Sequence, residues 1–192
     1  MTGVAVVYHS GFGHTKALAE AVAAGARSVL GAGVTLVPVE EVEARASALD
    51  GAKALIFGAP TYMGSASAPF KAFMEWSSKR WGEQQWKDKI AAGFTNSGSQ
   101  SGDKLSTLIQ LAVFAAQHGM IWVGLDLLPG NNNSKGSVDD LNRLGSFLGA
   151  MAQSNTDHGS EGMKASDLKT AERLGARVAS LAVRLGQEKL AA

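Results

Sequence analysis

The feature that most constrains the fold is a repeated order of short apolar runs, glycine-rich loops and helical patterns. Continuous apolar runs of strand length occupy residues 4–8, 34–39, 54–58, 90–95 and 121–125. Such runs are typical of strands that are covered on both faces of a sheet. Their alternation with helical patterns predicts an α/β fold, a doubly wound parallel sheet of five strands with helices on both faces.

The helical patterns and the remaining segments complete this prediction. Apolar residues recur at helical spacing within residues 15–30, 69–81, 103–118 and 166–185, whereas residues 40–49 indicate a weak helix or a loop. Residues 129–165 contain several glycines and no strong periodicity, which is typical of a lid or a functional insertion around the fifth strand. Residues 147–151 are a candidate short strand that continues the fifth. We expect one domain over residues 1–192.

Composition excludes several classes of function. Charged residues make up 18% of the chain and the net charge is +1, so no basic surface for nucleic acid is predicted. Cysteine is absent, which excludes disulfides and thiolate metal sites, and no metal site is predicted. No apolar run reaches the roughly 18 residues of a membrane helix, and the N-terminus has no signal-peptide pattern. We therefore expect a cytoplasmic protein that does not enter the membrane.

The loop of residues 10–15 has the composition of a phosphate-binding loop. It lies between the first apolar run and a helical pattern, where glycines commonly bring backbone amides close to phosphate. The ATP-binding loop requires a glycine directly before its lysine, and Lys16 follows Thr15 instead. The dinucleotide fingerprint is matched by Gly11 and Gly13, but Lys16 occupies the place of its third glycine.

Three interpretations of this loop remain open on the residues alone. In the first, the hydroxyls of Ser10 and Thr15, a donor on His14 and the backbone amides surround a terminal phosphate at the helix N-terminus. In the second, the loop binds a dinucleotide, with Glu40 on a ribose. In the third, it is a plain turn from strand to helix, in which Thr15 caps the helix. Polar, glycine-rich loops also follow the third and fourth apolar runs, and these loops meet at the carboxyl edge of a parallel sheet.

Four motifs together resemble a known family. They are Ser-Gly-Phe-Gly-His-Thr at residues 10–15, Gly-Ala-Pro-Thr-Tyr-Met-Gly at 58–64, Phe-Thr-Asn-Ser-Gly-Ser-Gln-Ser-Gly at 94–102 and Gln-His-Gly-Met at 117–120. They resemble flavodoxin-like FMN proteins and, more narrowly, the WrbA-type NAD(P)H:quinone oxidoreductases and the related NADPH-dependent FMN reductases. The similarity extends over most of the chain.

This resemblance implies bound FMN and the strand order 2-1-3-4-5. The phosphate would lie on the first loop, and the backbone amides of the second would bind one edge of the isoalloxazine. The implied cofactor-binding residues are Ser10, Gly11, Phe12, Gly13, His14, Thr15, Pro60, Thr61, Tyr62, Met63, Gly64, Thr95, Asn96, Ser97, Gly98, Gln100 and Gly102.

The resemblance also implies a substrate pocket formed by Tyr62, Trp81 and His118. A donor or an imidazolium at His118 would stabilise the negative charge of the reduced flavin. The alternatives are that His118 only interacts with a helix dipole and that Trp81 is a core or interface aromatic. Arg143 is predicted to be a solvated surface residue, with a nucleotide phosphate as its less favoured partner. No functional role is predicted for His158.

The implied activity is a two-electron reduction of quinones or free flavin by NAD(P)H in ping-pong order, with the enzyme as a homo-tetramer or a dimer. Residues 95–102 contain no aromatic side chain, which leaves one flavin face open for these substrates. Two other functions stay open. The chain is alternatively an electron-carrier flavodoxin, or a non-catalytic protein that binds FMN or a partner.

Overall fold

The computed structural model describes residues 1–188 and contains one seven-stranded sheet flanked by helices. The strands are β1 (Thr2–Tyr8), β2 (Ala32–Pro38), β3 (Ala54–Tyr62), β4 (Ser65–Ala66), β5 (Ile90–Ser97), β6 (Ile121–Trp122) and β7 (Ala150–Gln153). The helices are α1 (His14–Arg27), α2 (Ala46–Gly51), α3 (Ala68–Trp76), α4 (Ser78–Gly82), α5 (Lys104–Gln117) and α6 (Ala165–Glu188). Short 3-10 turns occupy Val39–Glu41 and Ser160–Gly162.

The sheet confirms the predicted topology. Its main path runs β2-β1-β3-β5-β6, and every pairing along this path is parallel. When these five strands are counted along the chain, their order is 2-1-3-4-5. The short β4 is an addition that pairs antiparallel with the end of β3. The carboxyl ends of the parallel strands therefore meet at one edge of the sheet, which we call the carboxyl edge, and the opposite edge is the amino edge.

The fifth strand is divided into two parts. β6 pairs with the first two residues of β5, and β7 pairs with its last four, from Phe94↔Ala150 to Ser97↔Gln153. The predicted strand at 121–125 is therefore too long: β6 ends at Trp122, the amide of Val123 still bonds to the carbonyl of Ala91 in β5, and the amide of Leu125 bonds to the carbonyl of Phe147 instead. The predicted continuation at 147–151 is confirmed as β7, shifted by a few residues.

One predicted helix is broken in the structure. The pattern at 69–81 divides into α3 and α4 at Ser77, whose hydroxyl donates a 2.7 Å hydrogen bond to the carbonyl of Met74. Such local bonding to the backbone competes with helix propagation and bends helices. The helices predicted at 15–30, 103–118 and 166–185 agree with the structure to within three residues at each end, and the weak helix or loop predicted at 40–49 contains part of a 3-10 turn and the start of α2. No helix within residues 1–188 is long and apolar enough to span a membrane.

The sheet separates two apolar cores. One face packs against α1 and α6, which approach so closely that a Cβ at Gly25 or Gly175 would lie 1.9 Å from a carbonyl of the other helix. The opposite face carries an aromatic cluster that consists of Phe57, Phe70, Phe73, Trp86 and Phe114. Because α1 is fixed against α6, its N-terminus and the preceding loop have a defined position at the carboxyl edge.

The predicted insertion is fastened to the domain by buried polar contacts. Asn142, which is 3% exposed, bonds to the carbonyls of Leu127 and Ser146 and to the amide of Ser146. The guanidinium of Arg143 donates two hydrogen bonds, of 2.8 and 2.7 Å, to the carboxylate of Asp167 in α6. The prediction of a solvated Arg143 is therefore wrong, because its side chain is only 6% exposed and is committed to this ion pair.

Candidate functional site

A cavity of about 460 Å³ opens at the carboxyl edge, where the loops after β1, β3, β5 and β7 converge. Its position agrees with the rule that open α/β sheets bind ligands outside the carboxyl ends of their strands. The lining consists of Ser10, Phe12, His14, Thr15, Pro60, Thr61, Tyr62, Asn96, Ser97, Gly98, Ser154, Thr156 and His158.

The loop of residues 10–15 presents a set of unpaired backbone donors. Within residues 1–188, the peptide N–H groups of residues 11–15 donate to no protein acceptor, while the hydroxyl of Ser10 accepts the amide of Lys16 at 3.1 Å. Gly13 precedes α1 with a φ of 88°, a conformation that glycine adopts without steric cost. Amides aimed out of a helix N-terminus, together with the helix dipole, form a binding site for a phosphate.

Tyr62 lies against this loop. Its ring is 6.3 Å from that of Phe12 in an edge-to-face contact, and a Cβ on Gly11 would be 2.8 Å from the Tyr62 hydroxyl. A side chain at position 11 would therefore displace the ring of Tyr62. Burial raises the pKa of Tyr62, so its hydroxyl stays protonated as a hydrogen-bond donor.

Met63 and Gly64 form the tip of a two-residue hairpin between β3 and β4. Their φ angles are 49° and 78°, and two successive positive values are typical of a type I′ turn. Neither residue is part of the cavity lining, and the Met63 side chain is fully exposed to solvent. Of the second predicted loop, only Pro60, Thr61 and Tyr62 reach the cavity.

Asn96 brings an unpaired acceptor to the cavity. Its side-chain amide donates to the hydroxyl of Ser154 at 2.8 Å, and within the described residues its Oδ1 has no hydrogen-bond partner. Asn96 is only 5% exposed, and a buried acceptor without a donor costs about 1–3 kcal/mol. A hydroxyl donor from a bound ribityl chain would remove this cost.

A cluster of three threonines supports the cavity floor. The hydroxyl of Thr61 is 2.8 Å from those of both Thr95 and Thr107. Thr95 is fully buried and does not reach the cavity lining, so its side chain supports Thr61. The loop that follows β5 contributes Ser97 and Gly98 to the lining, whereas Gln100 and Gly102 lie outside it.

Several residues of the site were missed by sequence reasoning. Ser154, Thr156 and His158 follow β7 and close the cavity, and the Nε2 of His14 donates to the His158 carbonyl at 2.9 Å. Lys104 and Gln153 bond to the carbonyls of the loop after β5. The position of Ser154, Thr156 and His158 was predictable from the sequence, because residues that follow the fifth strand must also lie at the carboxyl edge.

The structure does not bring the predicted substrate pocket together within one chain. Tyr62 lines the cavity, but His118 and Trp81 line a separate pocket of about 280 Å³ that also contains Ser77. His118 follows α5 directly and stands just before β6, and each crossover helix returns the chain to the amino edge. A residue placed directly before a parallel strand therefore lies at the end of the sheet opposite to the cavity.

His118 is a buried, neutral imidazole. The Ser77 hydroxyl has one proton, which it donates to the Met74 carbonyl, so the Nε2–H of His118 donates to Ser77 at 2.9 Å. The Nδ1 atom then carries a lone pair and has no partner within the described residues. Burial lowers the pKa of His118 to about 4. The predicted imidazolium is therefore absent at neutral pH.

The fold and the cavity define a class of protein. The strand order 2-1-3-4-5, the unpaired amides at the N-terminus of α1 and the buried acceptor of Asn96 are those of a flavodoxin-like mononucleotide-binding protein. The residues present fit FMN, since the amides suit its phosphate and Asn96 suits a ribityl hydroxyl.

Comparison with known proteins gives the family. The model for NADPH-dependent FMN reductases matches residues 9–131, and the chain belongs to this family. It is 43% identical to flavodoxin FldP of Pseudomonas aeruginosa, with 98% of each chain covered. It is 33% identical to an NAD(P)H dehydrogenase (quinone) of Archaeoglobus fulgidus, with 96% of this chain and 100% of the relative covered.

A solved structure agrees with these relatives. The flavodoxin, WrbA-like protein from Agrobacterium tumefaciens shares 41% sequence identity and a TM-score of 0.76, and the match covers 96% of this chain and 99% of that one. The resemblance to a WrbA-type, flavodoxin-like FMN oxidoreductase is thus confirmed, with FMN as the cofactor and NAD(P)H as the co-substrate of the family.

Proposed function

We propose that the protein is an FMN-dependent oxidoreductase that oxidises NAD(P)H and reduces a quinone or free flavin. The relative from Archaeoglobus fulgidus, whose name states quinone reduction, is matched over its whole length. The two substrates would use the same space in turn, which predicts ping-pong kinetics. The physiological acceptor is a small apolar molecule with two reducible carbonyls or a flavin ring.

The observation that carries this proposal is the open wall of the cavity. The loop after β5 contributes Ser97 and Gly98, which have no aromatic ring, and Tyr62 lies against the loop of residues 10–15. No side chain of the lining is therefore placed to cover the flavin from the β5 side. Such an open face admits a planar nicotinamide or quinone, because hydride transfer requires stacking contact.

The protein's own contribution is binding and orientation. Bound FMN would supply the redox chemistry by accepting a hydride and releasing two electrons. The amides of residues 11–15, with the hydroxyls of Ser10 and Thr15, would hold the phosphate at the N-terminus of α1. Oδ1 of Asn96 would accept a ribityl hydroxyl, and the Thr61 hydroxyl, fixed by Thr95 and Thr107, would support the floor beneath it.

We also propose a homo-oligomer, either a tetramer or a dimer. Within one chain, His118 and Trp81 lie in a pocket separate from the cavity. They would contribute to catalysis only if a neighbouring chain brought them to the flavin, as the resemblance to WrbA-type enzymes implies. Light scattering after size-exclusion chromatography tests the assembly, and a monomer that retains full turnover would exclude this role.

Steady-state kinetics of the purified, FMN-loaded protein test the activity. NADH and NADPH are each compared as donors, with benzoquinone and free FMN as acceptors. We expect turnover with at least one pair, and parallel lines in double-reciprocal plots when both substrates are varied. Absence of NAD(P)H oxidation by a fully FMN-loaded protein would contradict the proposal.

An electron carrier is the second candidate function. The relative at 43% identity is named a flavodoxin, and this name favours electron transfer between proteins. The open wall and the net charge of +1 favour the enzyme, since carriers commonly dock through a strongly acidic surface. A carrier would oxidise NADPH only after addition of a separate flavodoxin reductase, so the same assay with and without that reductase separates the two functions.

A further inference from the structure

Lys104 is a buried cation behind the cavity wall. It is the first residue of α5 and is 1% exposed. Its ammonium donates to the hydroxyl of Ser97 at 2.8 Å, to the carbonyl of Ser99 at 2.8 Å and to the carbonyl of Gln100 at 2.7 Å. All three partners are neutral oxygens, so no carboxylate neutralises this charge directly.

The bonds of Lys104 fix the orientation of the loop peptides. All peptide bonds of the described residues are trans, so each N–H points away from the carbonyl of the same peptide unit. Because the carbonyls of Ser99 and Gln100 face the ammonium, the amides of Gln100 and Ser101 point away from it. Within residues 1–188 these two amides donate to no protein acceptor.

The loop is also held from its other side. The side-chain amide of Gln153 in β7 donates to the carbonyl of Gly98 at 3.0 Å. Gly102 packs so closely on Ser97 that a Cβ would lie 2.1 Å from its hydroxyl oxygen. The loop of residues 97–102 is therefore preorganised, although its sequence of serines and glycines is typical of a flexible segment.

We infer that Lys104 is a positioning residue for the flavin: its ammonium holds the loop of residues 97–102, of which Ser97 and Gly98 line the cavity, and polarises two loop peptides whose free amides would reach the part of the isoalloxazine that extends beyond this lining. A cation on a peptide carbonyl strengthens the hydrogen bond that the same peptide donates. The effect is larger for reduced than for oxidised flavin, because reduction places negative charge on the isoalloxazine. This inference rests on the proposed function only in that FMN is the ligand.

The charge of the Lys104 side chain at neutral pH is consistent with this role. Burial lowers the pKa of Lys104 to about 8, while Asp167 raises it and Arg143 lowers it. The ammonium form thus predominates at pH 7. A bound anion would favour that form further.

Lys89 offers a matched control. It is also buried, its pKa is also lowered to about 8 by burial, and its ammonium donates to two backbone carbonyls, those of Leu49 and Asp50. It lies directly before β5, at the amino edge, and is absent from the cavity lining. Replacement of either lysine removes a comparable buried cation, but only Lys104 touches the loop of the cavity.

The experiment measures FMN binding by the apoprotein, without NAD(P)H or quinone. Fluorescence titration gives the affinity for oxidised FMN, and the midpoint potentials of bound and free FMN give the affinity for reduced FMN by a thermodynamic cycle. For Lys104→Met we expect at least tenfold weaker binding of oxidised FMN and at least 100-fold weaker binding of reduced FMN. Lys104→Arg should restore the ratio of the two affinities, and Lys89→Met should leave both within twofold.

Each outcome decides between the alternatives. An unchanged ratio of the two affinities in Lys104→Met, or an equal change in Lys89→Met, would overturn the inference. If Lys104→Met does not fold, Lys104→Gln and Lys104→Arg carry the same test, and equal ratios in these two variants would overturn it. Wild-type protein that binds FMN but does not oxidise NAD(P)H would refute the proposed enzyme and leave the role of Lys104 intact.

Discussion

The two edges of the sheet use similar residue types but differ in how their polar groups are paired. At the amino edge, the carboxylate of Asp50 accepts from Arg80 and from the indole of Trp86, and the nearby Lys89 donates to two carbonyls. At the carboxyl edge, the amides of residues 11–15 and Oδ1 of Asn96 have no partner among the described residues. Among the described residues, the amino edge pairs these groups with each other and leaves the Nδ1 atom of His118 without a partner, whereas the carboxyl edge presents a whole set of unpaired groups to one cavity.

This difference separates groups that stabilise the fold from groups that bind. A buried polar atom without a partner costs stability, so a set of them at one place indicates that a ligand supplies the missing bonds. Substitutions at the amino edge should therefore change the free energy of unfolding and leave FMN affinity unchanged. Substitutions at the carboxyl edge should have the opposite effect.

The largest expected effect comes from the phosphate loop. The double variant Ser10→Ala, Thr15→Ala removes two hydroxyls that would bond to a charged phosphate, each worth about 1.5–3 kcal/mol. We expect FMN to bind at least about 100-fold more weakly in fluorescence titration, with a loss of thermal stability near that of one helix cap, about 1 kcal/mol. The control is Ser180→Ala on the exposed side of α6. Unchanged FMN affinity in the double variant would refute the proposal that the loop of residues 10–15 binds the phosphate.

His118 tests the amino edge through pH. Its pKa is lowered from 6.5 to about 4, so the unfolded chain binds the proton more readily than the native protein does. The contribution of His118 to the free energy of unfolding is therefore fully present above about pH 6.5. It is lost as the pH falls towards 4, by about 3 kcal/mol in total.

Urea unfolding of wild type and His118→Phe between pH 7 and pH 4 measures this contribution. Carboxylates titrate in both proteins, so the difference between the two curves isolates the histidine. The phenylalanine variant should lose less stability over this range. Parallel curves would show that the pKa of His118 is the same in the native protein and in the unfolded chain.

Asp50 provides the next smaller effect. Asp50→Ala leaves the buried indole N–H of Trp86 without its acceptor, which is 2.9 Å away in the native protein, and breaks the two bonds to Arg80. We expect a loss of about 2 kcal/mol in the free energy of unfolding. FMN affinity should stay within twofold of wild type, and a large loss of FMN binding would contradict the division between the two edges. Glu83→Ala, which removes an exposed ion pair with Lys79 and an exposed hydrogen bond from the side chain of Gln85, should change stability by less than about 0.5 kcal/mol.

The sequence predicted the sheet and the position of the cavity, since both follow from strong local patterns. Apolar runs such as residues 54–58 are long enough to identify a strand buried on both faces, and polar residues directly after a strand identify the carboxyl edge. The same rule, applied to His118, would have placed it at the amino edge, because it precedes a strand. The predicted contact of His118 with the flavin therefore stays a prediction, and it requires a neighbouring chain.

The remaining features depend on contacts between distant parts of the chain. Asn96 meets Ser154 across 58 positions, and Arg143 meets Asp167 across a segment without periodicity. Neither pairing leaves a local pattern. The role of Lys104 was equally hidden, because a lysine at the start of a helix is ordinarily exposed, and only the structure shows that its stem is buried and its ammonium faces the loop.

Gln153 should give the smallest effect and the sharpest test of the carboxyl edge. Gln153→Ala removes two hydrogen bonds of Nε2, one to the carbonyl of Gly98 in the loop of residues 97–102 and an exposed one to Oδ1 of Asn155, whereas its backbone amide keeps its bond to Asp167. A single neutral hydrogen bond is worth about 1 kcal/mol, so FMN should bind roughly fivefold more weakly. Gln85→Ala, an exposed glutamine of the amino edge, should have no effect on FMN binding. Equal affinities in the two variants would show that the loop of residues 97–102 is held by Lys104 alone, and that β7 closes the cavity without ordering its wall.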